Sequence, residues 1–174
     1  LYLAPSYSAG DRNHAYALEV LAQVLGGGPT SQLYRRLVID RGIASTAGAW
    51  YNGNALDYGE FGLYARPKVG GDIKVLERAL IEELNRVLRV GFQSADIERA
   101  KKLIAAQAIY ARDGLRAGPN AIGASFAQGR TIRDVEAWPE NVSAVTSRQV
   151  IEAARAVLDK ARSVTGMLLP EVVR

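Results

Sequence analysis

The chain has 174 residues, the length of one ordinary domain, and its 48% hydrophobic and 23% charged residues are typical of a soluble globular protein. The net charge is only +4, and basic and acidic side chains are interspersed along Asp72–Arg89 and Asp96–Arg112, a pattern that argues against nucleic-acid binding. The absence of cysteine excludes disulfides and thiolate chemistry, and no apolar run approaches the roughly 18 residues of a membrane span.

The first part of the chain is predicted to form a strand and two helices. Leu1–Tyr7 has the composition of a strand, and Asp11 or Asn13 can cap the helix that follows. Gly26–Gly28 end this helix, because glycine adopts the left-handed cap conformation without steric cost. A short helix is expected over Ser31–Asp40, with its first residue as the cap.

Two strands and two long helices are predicted next. Ala44–Tyr51 and Gly59–Pro67 have the alternation of half-buried strands, separated by turn residues. Asp72–Gly91 has the clearest helical stripe, closed by a glycine cap, and a helix from Ser94 to about Asp113 follows it.

The last part is predicted to be mostly helical. Arg116–Gly129 is rich in small residues and is expected to be helical after Pro119, with Ile122 and Phe126 turned inward. Thr146 opens a capping box with the glutamine three residues later, which predicts another helix. Ser163–Leu169 is expected to be a final strand.

The order β-α-α-β-β-α-α-α-α-β predicts an α+β fold. We expect a two-layer sandwich in which helices cover one face of a mixed four-stranded sheet. Residues 1–174 are predicted to be a single domain. The chain opens at Leu1 without methionine or a signal-peptide pattern, so we expect a piece of a longer polypeptide.

Two blocks of sequence have a more specific meaning. Leu25–Ser45 combines a glycine-rich helix end with a basic, apolar-striped turn, and Val142–Pro170 combines a capped, alanine-rich helix with an apolar segment ending in proline. With the two long helices between them, this order resembles the C-terminal-type domain of the M16 zinc peptidases, which include insulin-degrading enzyme, pitrilysin and the mitochondrial processing peptidase. The resemblance implies the LuxS/MPP-like metallohydrolase fold.

The resemblance also implies a zinc ion that this chain cannot hold. Members of the family bind zinc through His-x-x-Glu-His and a distant glutamate, and the motif glutamate acts on the bound water. Here His14 is the only histidine, and it is interpreted as a surface or capping residue. We therefore expect no catalytic residue and no metal ligand in this chain, and zinc on an N-terminal domain of the same parent chain.

A second family feature is missing. The C-terminal-type domain often supplies an arginine and, seven residues later, a tyrosine that contact bound peptide; here Val38 and Ser45 occupy those positions. Arg41, Ser45 and Tyr51 are the candidate substitute contacts for peptide. The alternative is that they are ordinary solvent-exposed residues of helices and strands. Trp50 and Trp138 are interpreted as packing anchors rather than as binding platforms.

The resemblance implies a substrate-chamber domain of a zinc metalloendopeptidase that encloses peptide, in a homo- or heterodimer with another M16-like chain. The alternative within the family is a non-catalytic scaffold or partner subunit, like the core proteins of the respiratory cytochrome complex. A third reading is a stand-alone α+β binding module. Because bacterial relatives are often exported, the periplasm is the expected compartment.

Overall fold

The structure, a computed structural model, describes residues 1–110 and 117–169. Its strands are β1 (Tyr2–Ala4), β2 (Ala44–Asn52) and β3 (Gly59–Pro67). Its α-helices are α1 (Arg12–Gly26), α2 (Ile73–Val90), α3 (Ser94–Tyr110), α4 (Ala117–Ala127), α5 (Ile132–Glu136), α6 (Trp138–Ser143) and α7 (Ser147–Val157). Tyr34–Asp40 is a π-helix and Lys160–Arg162 a 3-10 turn. No helix in these two ranges is both long and apolar enough to cross a membrane.

The sheet has the strand order β1-β3-β2, with both neighbouring pairs antiparallel. Tyr2 lies opposite Phe61, and Trp50 lies opposite Gly62. A register shift interrupts the ladder between Ala44 and Thr46 at the start of β2. Because β3 is central, β2 is an edge strand.

The predicted mixed four-stranded sheet is not formed by the described residues. Ser163–Leu169 makes a single bridge, from Ser163 to Tyr2, and main-chain bonds of 2.9 and 3.0 Å join Val164 to Leu1. Among the described residues the sheet therefore has three strands, and the last segment joins it through this one bridge.

Strand β1 is also shorter than predicted. Pro5 has no amide hydrogen to donate to a ladder, and the chain then turns on Ser6. The Ser6 hydroxyl oxygen accepts bonds from the amides of Ser8 and Ala9, at 3.1 and 2.9 Å. These local bonds compete with strand pairing and end β1 at Ala4.

Two predictions for side chains were wrong. Ser31 does not cap a helix: its hydroxyl is buried and has no hydrogen-bond partner among the described residues. The helix it was expected to start continues as the π-helix. Phe126 was predicted to face inward, but its side chain is 55% exposed while Ser125 is buried. The predicted end of α3 near Asp113 lies outside the described residues.

Helix α1 is the centre of the core. Asp11 caps it through a 2.9 Å bond from the amide of Asn13, as predicted. Leu18, Leu21 and Leu25 are fully buried. At the end of α1, Gly26 packs on the backbone of β2 so closely that a β-carbon there would overlap the main chain at residues 48 and 49.

The other helices build a layer around α1. Helix α2 begins at the Asp72 cap, and Leu76, Leu84 and Val87 on its apolar stripe are buried. Helix α7 begins at the capping box of Thr146 that the sequence predicts. Both α3 and α7 contact α1, so the helices lie against one face of the sheet, here called the inner face.

Candidate functional site

Among the described residues, none covers the opposite face of the sheet, here called the outer face. The strand register places on it Leu3, Trp50 and Tyr64, whose side chains are 66%, 39% and 50% exposed. The same strands bury Phe61 and Ala47 on the inner face. The two faces follow from the two-residue periodicity of strands, which places alternate side chains on opposite sides.

Glycines give the outer face its flat aromatic surface. The ring of Trp50 covers Gly62 on the neighbouring strand, and the ring of Tyr64 covers Gly48. A β-carbon at either glycine would overlap the ring above it. The rings can therefore rest against the sheet, and they offer broad surfaces that extended peptides can contact.

A polar cluster lies around Glu19 of α1, on the inner-face side of β2. The Glu19 Oε2 atom accepts hydrogen bonds from the Tyr7 hydroxyl and, at 3.0 Å, from the indole nitrogen of Trp138. The guanidinium of Arg130 stacks over the Tyr7 ring, 4.5 Å from its centroid. Tyr51 contacts Tyr7 edge-on, and its hydroxyl donates to the Pro5 carbonyl.

Burial shapes the electrostatics of this cluster. It raises the pKa of Glu19, although the hydrogen bonds from Tyr7 and Trp138 and the charge of Arg130 act to lower it. Burial and the nearby Glu19 carboxylate together raise the pKa values of Tyr7 and Tyr51. Both tyrosines are thus neutral hydrogen-bond donors at physiological pH.

The three residues predicted as peptide contacts lie in different surroundings. Arg41 follows the π-helix, and its guanidinium bonds to the exposed carboxylate of Glu82 at 2.9 Å. Ser45, at the start of β2, donates to main-chain carbonyls of Arg66 and Pro67 at 3.3 and 3.2 Å. Tyr51 lies six residues further, about 20 Å along the strand.

The structure therefore does not gather Arg41, Ser45 and Tyr51 into one site. Of the three, Arg41 and Ser45 are exposed, whereas Tyr51 packs against the core. Val38, at the position of the family's arginine, also packs partly buried against the core. Their roles as peptide contacts stay predictions.

The residues present do not suit a catalytic zinc ion. His14 stands on the first turn of α1, with its Nε2 atom 3.9 Å from the Asp11 carboxylate. Within residues 1–110 and 117–169, no group of three or more histidine, aspartate or glutamate side chains could hold a metal. A zinc ion in the parent protein would need ligands from another domain.

Sequence reasoning missed Glu19, and it did not reveal how Trp50 packs. Glu19 lies on the row Ala15–Glu19–Ala22–Gly26 of α1, where a carboxylate among small residues signals a buried partner or a ligand. For Trp50, the signal in the sequence was that Trp50 and Tyr64 lie on two predicted strands that each also contain glycine. Only the register reveals that each ring lies over a glycine.

Comparison with known proteins agrees with this fold. The family model described as "Peptidase M16 inactive domain" matches residues 2–104, more than half of the chain. An uncharacterized zinc protease of Streptomyces coelicolor is 30% identical over 152 residues, which cover 86% of this chain. This chain spans about a third of that relative's length, 32%.

Crystal structures from two bacteria have the same fold. One, described as the inactive peptidase domain of a candidate zinc protease of Bordetella parapertussis, superposes with a TM-score of 0.84 at 19% identity. The match covers 98% of this chain and 90% of that one. The other, a candidate zinc protease of Bordetella pertussis, superposes with a TM-score of 0.83 at 19% identity, covering 98% and 91%.

Proposed function

Because the chain belongs to the M16 peptidase family and matches its inactive-domain type, we propose that it forms the non-zinc wall of a peptide chamber. The complete enzyme would be a zinc-dependent metalloendopeptidase that hydrolyses peptide bonds. In this proposal residues 1–174 are one domain of a longer chain, and the zinc-bearing domain precedes it. This domain carries no catalytic residue.

The observation that carries the proposal is the open outer face. A domain whose only role was to fold would cover both faces of a three-stranded sheet or present polar side chains on the free face. Here Leu3, Trp50 and Tyr64 stay exposed beside the charged side chains of Glu60 and Arg66. Mixed aromatic and charged surface suits a peptide held by general contacts rather than by one specific pocket.

The proposed role of this domain follows from which metal-ligating side chains it contains. The domain lacks a fitting zinc site among its described residues, so its chemical contribution is to bind and orient peptide and to exclude water from the space it encloses. Arg41 and Ser45 are proposed as additional polar contacts at the start of β2. A dimer with another M16-like chain would complete the enclosure, and we place the enzyme in the periplasm.

The second candidate is a scaffold subunit of an M16-like assembly. Val38 and Ser45 favour it, because the positions of the family's arginine and tyrosine hold residues that cannot contact peptide in the same way. Val38 packs against the core, and the Ser45 hydroxyl bonds to the neighbouring strand. This alternative predicts no peptide cleavage by the complete protein.

One experiment separates the two candidates. The full-length protein is purified, its zinc content is measured, and cleavage of an unfolded peptide is followed with and without a chelator. We expect bound zinc and chelator-sensitive cleavage. The double variant Leu3→Ala/Tyr64→Ala should lower kcat/KM about tenfold, the effect of losing ~1.4 kcal/mol of contact, with only a small fall in melting temperature.

The matched control is Val90→Ala, which removes an exposed apolar side chain from the far end of α2 and should leave cleavage unchanged. A metal-free and inert full-length protein would support the scaffold candidate. An active enzyme that tolerates Leu3→Ala/Tyr64→Ala would show that the outer face does not meet the peptide.

A further inference from the structure

The loop that joins β2 to β3 carries a reactive dipeptide that the proposed function does not use. Asn52 is the last residue of β2 and is followed by Gly53, and this is the only Asn-Gly pair in the sequence. Glycine has no β-carbon to shield its amide nitrogen, so an asparagine before it can cyclise on the main chain. The pair therefore places an electrophilic side-chain amide beside an unhindered nitrogen.

The surroundings of Asn52 favour attack on its side chain. The residue is exposed, and its Oδ1 atom accepts a hydrogen bond from the amide of Asn54 at 3.2 Å. This turn folds the side chain back over the intervening peptide and brings its Cγ atom toward the Gly53 nitrogen. The same hydrogen bond withdraws electron density from the Cγ carbonyl, which makes the carbon a better target.

The attacking nitrogen is also available. Among the described residues, no acceptor engages the Gly53 amide, whereas the Gly53 carbonyl accepts a bond from the amide of Tyr7 at 3.0 Å. Strand pairing ends one residue earlier, with Asn52 opposite Glu60. Only this last pair has to open for Asn52 to rotate into position, and the end of a ladder opens more readily than its centre.

We propose that Asn52 is a site of spontaneous deamidation, in which the Gly53 nitrogen displaces the side-chain amide of Asn52. The nitrogen loses its proton to hydroxide and bonds to Cγ. The bond from Cγ to the side-chain nitrogen breaks, and ammonia leaves after taking up a proton from water. A second water opens the succinimide ring at either carbonyl, returns a proton to the main-chain nitrogen, and leaves aspartate or isoaspartate. The net change is one water consumed and one ammonia released.

The isoaspartate product changes the backbone at a tightly packed position. It routes the chain through the side-chain carboxyl carbon and adds one methylene between residue 52 and Gly53. A β-carbon on Gly53 would overlap the ring of Tyr51, and the Gly53 carbonyl is bonded to Tyr7, so this glycine has little room to shift. The reaction thus disturbs two tyrosines that contact each other edge-on. It needs no peptide, zinc or second domain, so the inference is independent of the proposed function.

Ageing of the full-length protein in mildly alkaline buffer tests the proposal. Samples are digested with trypsin at intervals, and the peptide 42–68 is fragmented in a mass spectrometer, so that each asparagine reports its own mass gain. Asn54 is the internal control, because it is exposed in the same loop but precedes alanine. We expect Asn52 to deamidate about tenfold faster than Asn54, because the alanine methyl group hinders attack.

Two variants separate cyclisation from general damage. Asn52→Gln keeps an exposed amide, but its longer side chain would have to close a larger ring, so residue 52 should show no mass gain over the same period. Asn54→Gln alters another exposed amide of the loop and should leave the rate at Asn52 unchanged. The aged wild-type peptide 42–68 should also accept a methyl group from a protein isoaspartyl methyltransferase.

The backbone change has its own measurement. The isoaspartate form is separated by ion exchange and compared with the variant Asn52→Asp, which adds the same charge without lengthening the main chain. The isoaspartate form should unfold at a lower urea concentration. Equal midpoints would contradict the packing constraint on Gly53.

Three results would overturn the proposal itself. The first is an equal rate at Asn52 and Asn54 in the folded protein, and the second is a mass gain at Asn52 that appears only in urea. The third is an aged protein that carries aspartate but no isoaspartate at residue 52, because direct attack by water on the side chain gives aspartate alone.

Discussion

The two faces of the sheet differ in how their residues are used. On the inner face, Phe61 is fully buried under the helices, and Gly26 of α1 touches the backbone of β2. On the outer face, Trp50 and Tyr64 lie over glycines and remain exposed. Stability should therefore be concentrated on one face and interaction with other molecules on the other, although neighbouring residues of the same strands build both.

The largest expected difference is between Phe61→Ala and Tyr64→Ala, three residues apart on β3. Phe61 is buried with no exposed surface, so its truncation should lower the free energy of unfolding by about 3–5 kcal/mol. Tyr64 is half exposed, and its truncation should cost less than about 1 kcal/mol. Urea unfolding of both variants measures the contrast. Equal losses would mean that the outer face is covered in the folded protein.

The next effect concerns the contact between α1 and the sheet. Gly26→Ala should lower the free energy of unfolding by about 1–3 kcal/mol, because the new methyl group overlaps the main chain of β2 and forces the helix away. Gly123→Ala is the matched helical control: no atom lies within 4 Å of its β-carbon position, so stability should be unchanged or slightly higher. If both variants behave alike, the close approach is not a constraint.

The smallest expected effect is the pH dependence that Glu19 contributes. Because burial raises its folded-state pKa, the folded chain holds this proton more readily than the unfolded chain between the ordinary value of 4.5 and the raised one. Its contribution to stability is therefore fully present below pH 4.5 and is lost as the pH rises through the folded pKa. Relative to Glu19→Gln, the wild-type protein should lose stability with rising pH in this window. Unfolding curves of the two proteins that stay parallel from pH 4 to 8 would contradict it.

Local signals in the sequence predicted the helices well. The caps at Asp11 and Thr146 and the glycine after α2 each depend on residues within one turn. They can therefore be recognised in the sequence without knowledge of the fold. The order of these elements also carried the family resemblance, which the matching family model confirms.

Long-range features escaped prediction. The expected strand over Ser163–Leu169 depends on partners at the opposite end of the sequence, and only one bridge to Tyr2 forms. Glu19 receives its hydrogen bonds from residues 12 and 119 positions away. Contacts over such separations produce no repeating pattern in the sequence. The Glu19 cluster and the exposed outer face therefore become evident only in the folded structure.

The central claim is that the outer face meets the peptide, and site-specific cross-linking tests it most directly. The photoreactive residue benzoylphenylalanine is placed at position 64 of the full-length protein, or at position 90, a more exposed apolar site on α2. After illumination with a bound, labelled peptide, position 64 should give a covalent adduct and position 90 none. Adducts at 90 but not at 64, or equal adducts at both, would contradict the claim.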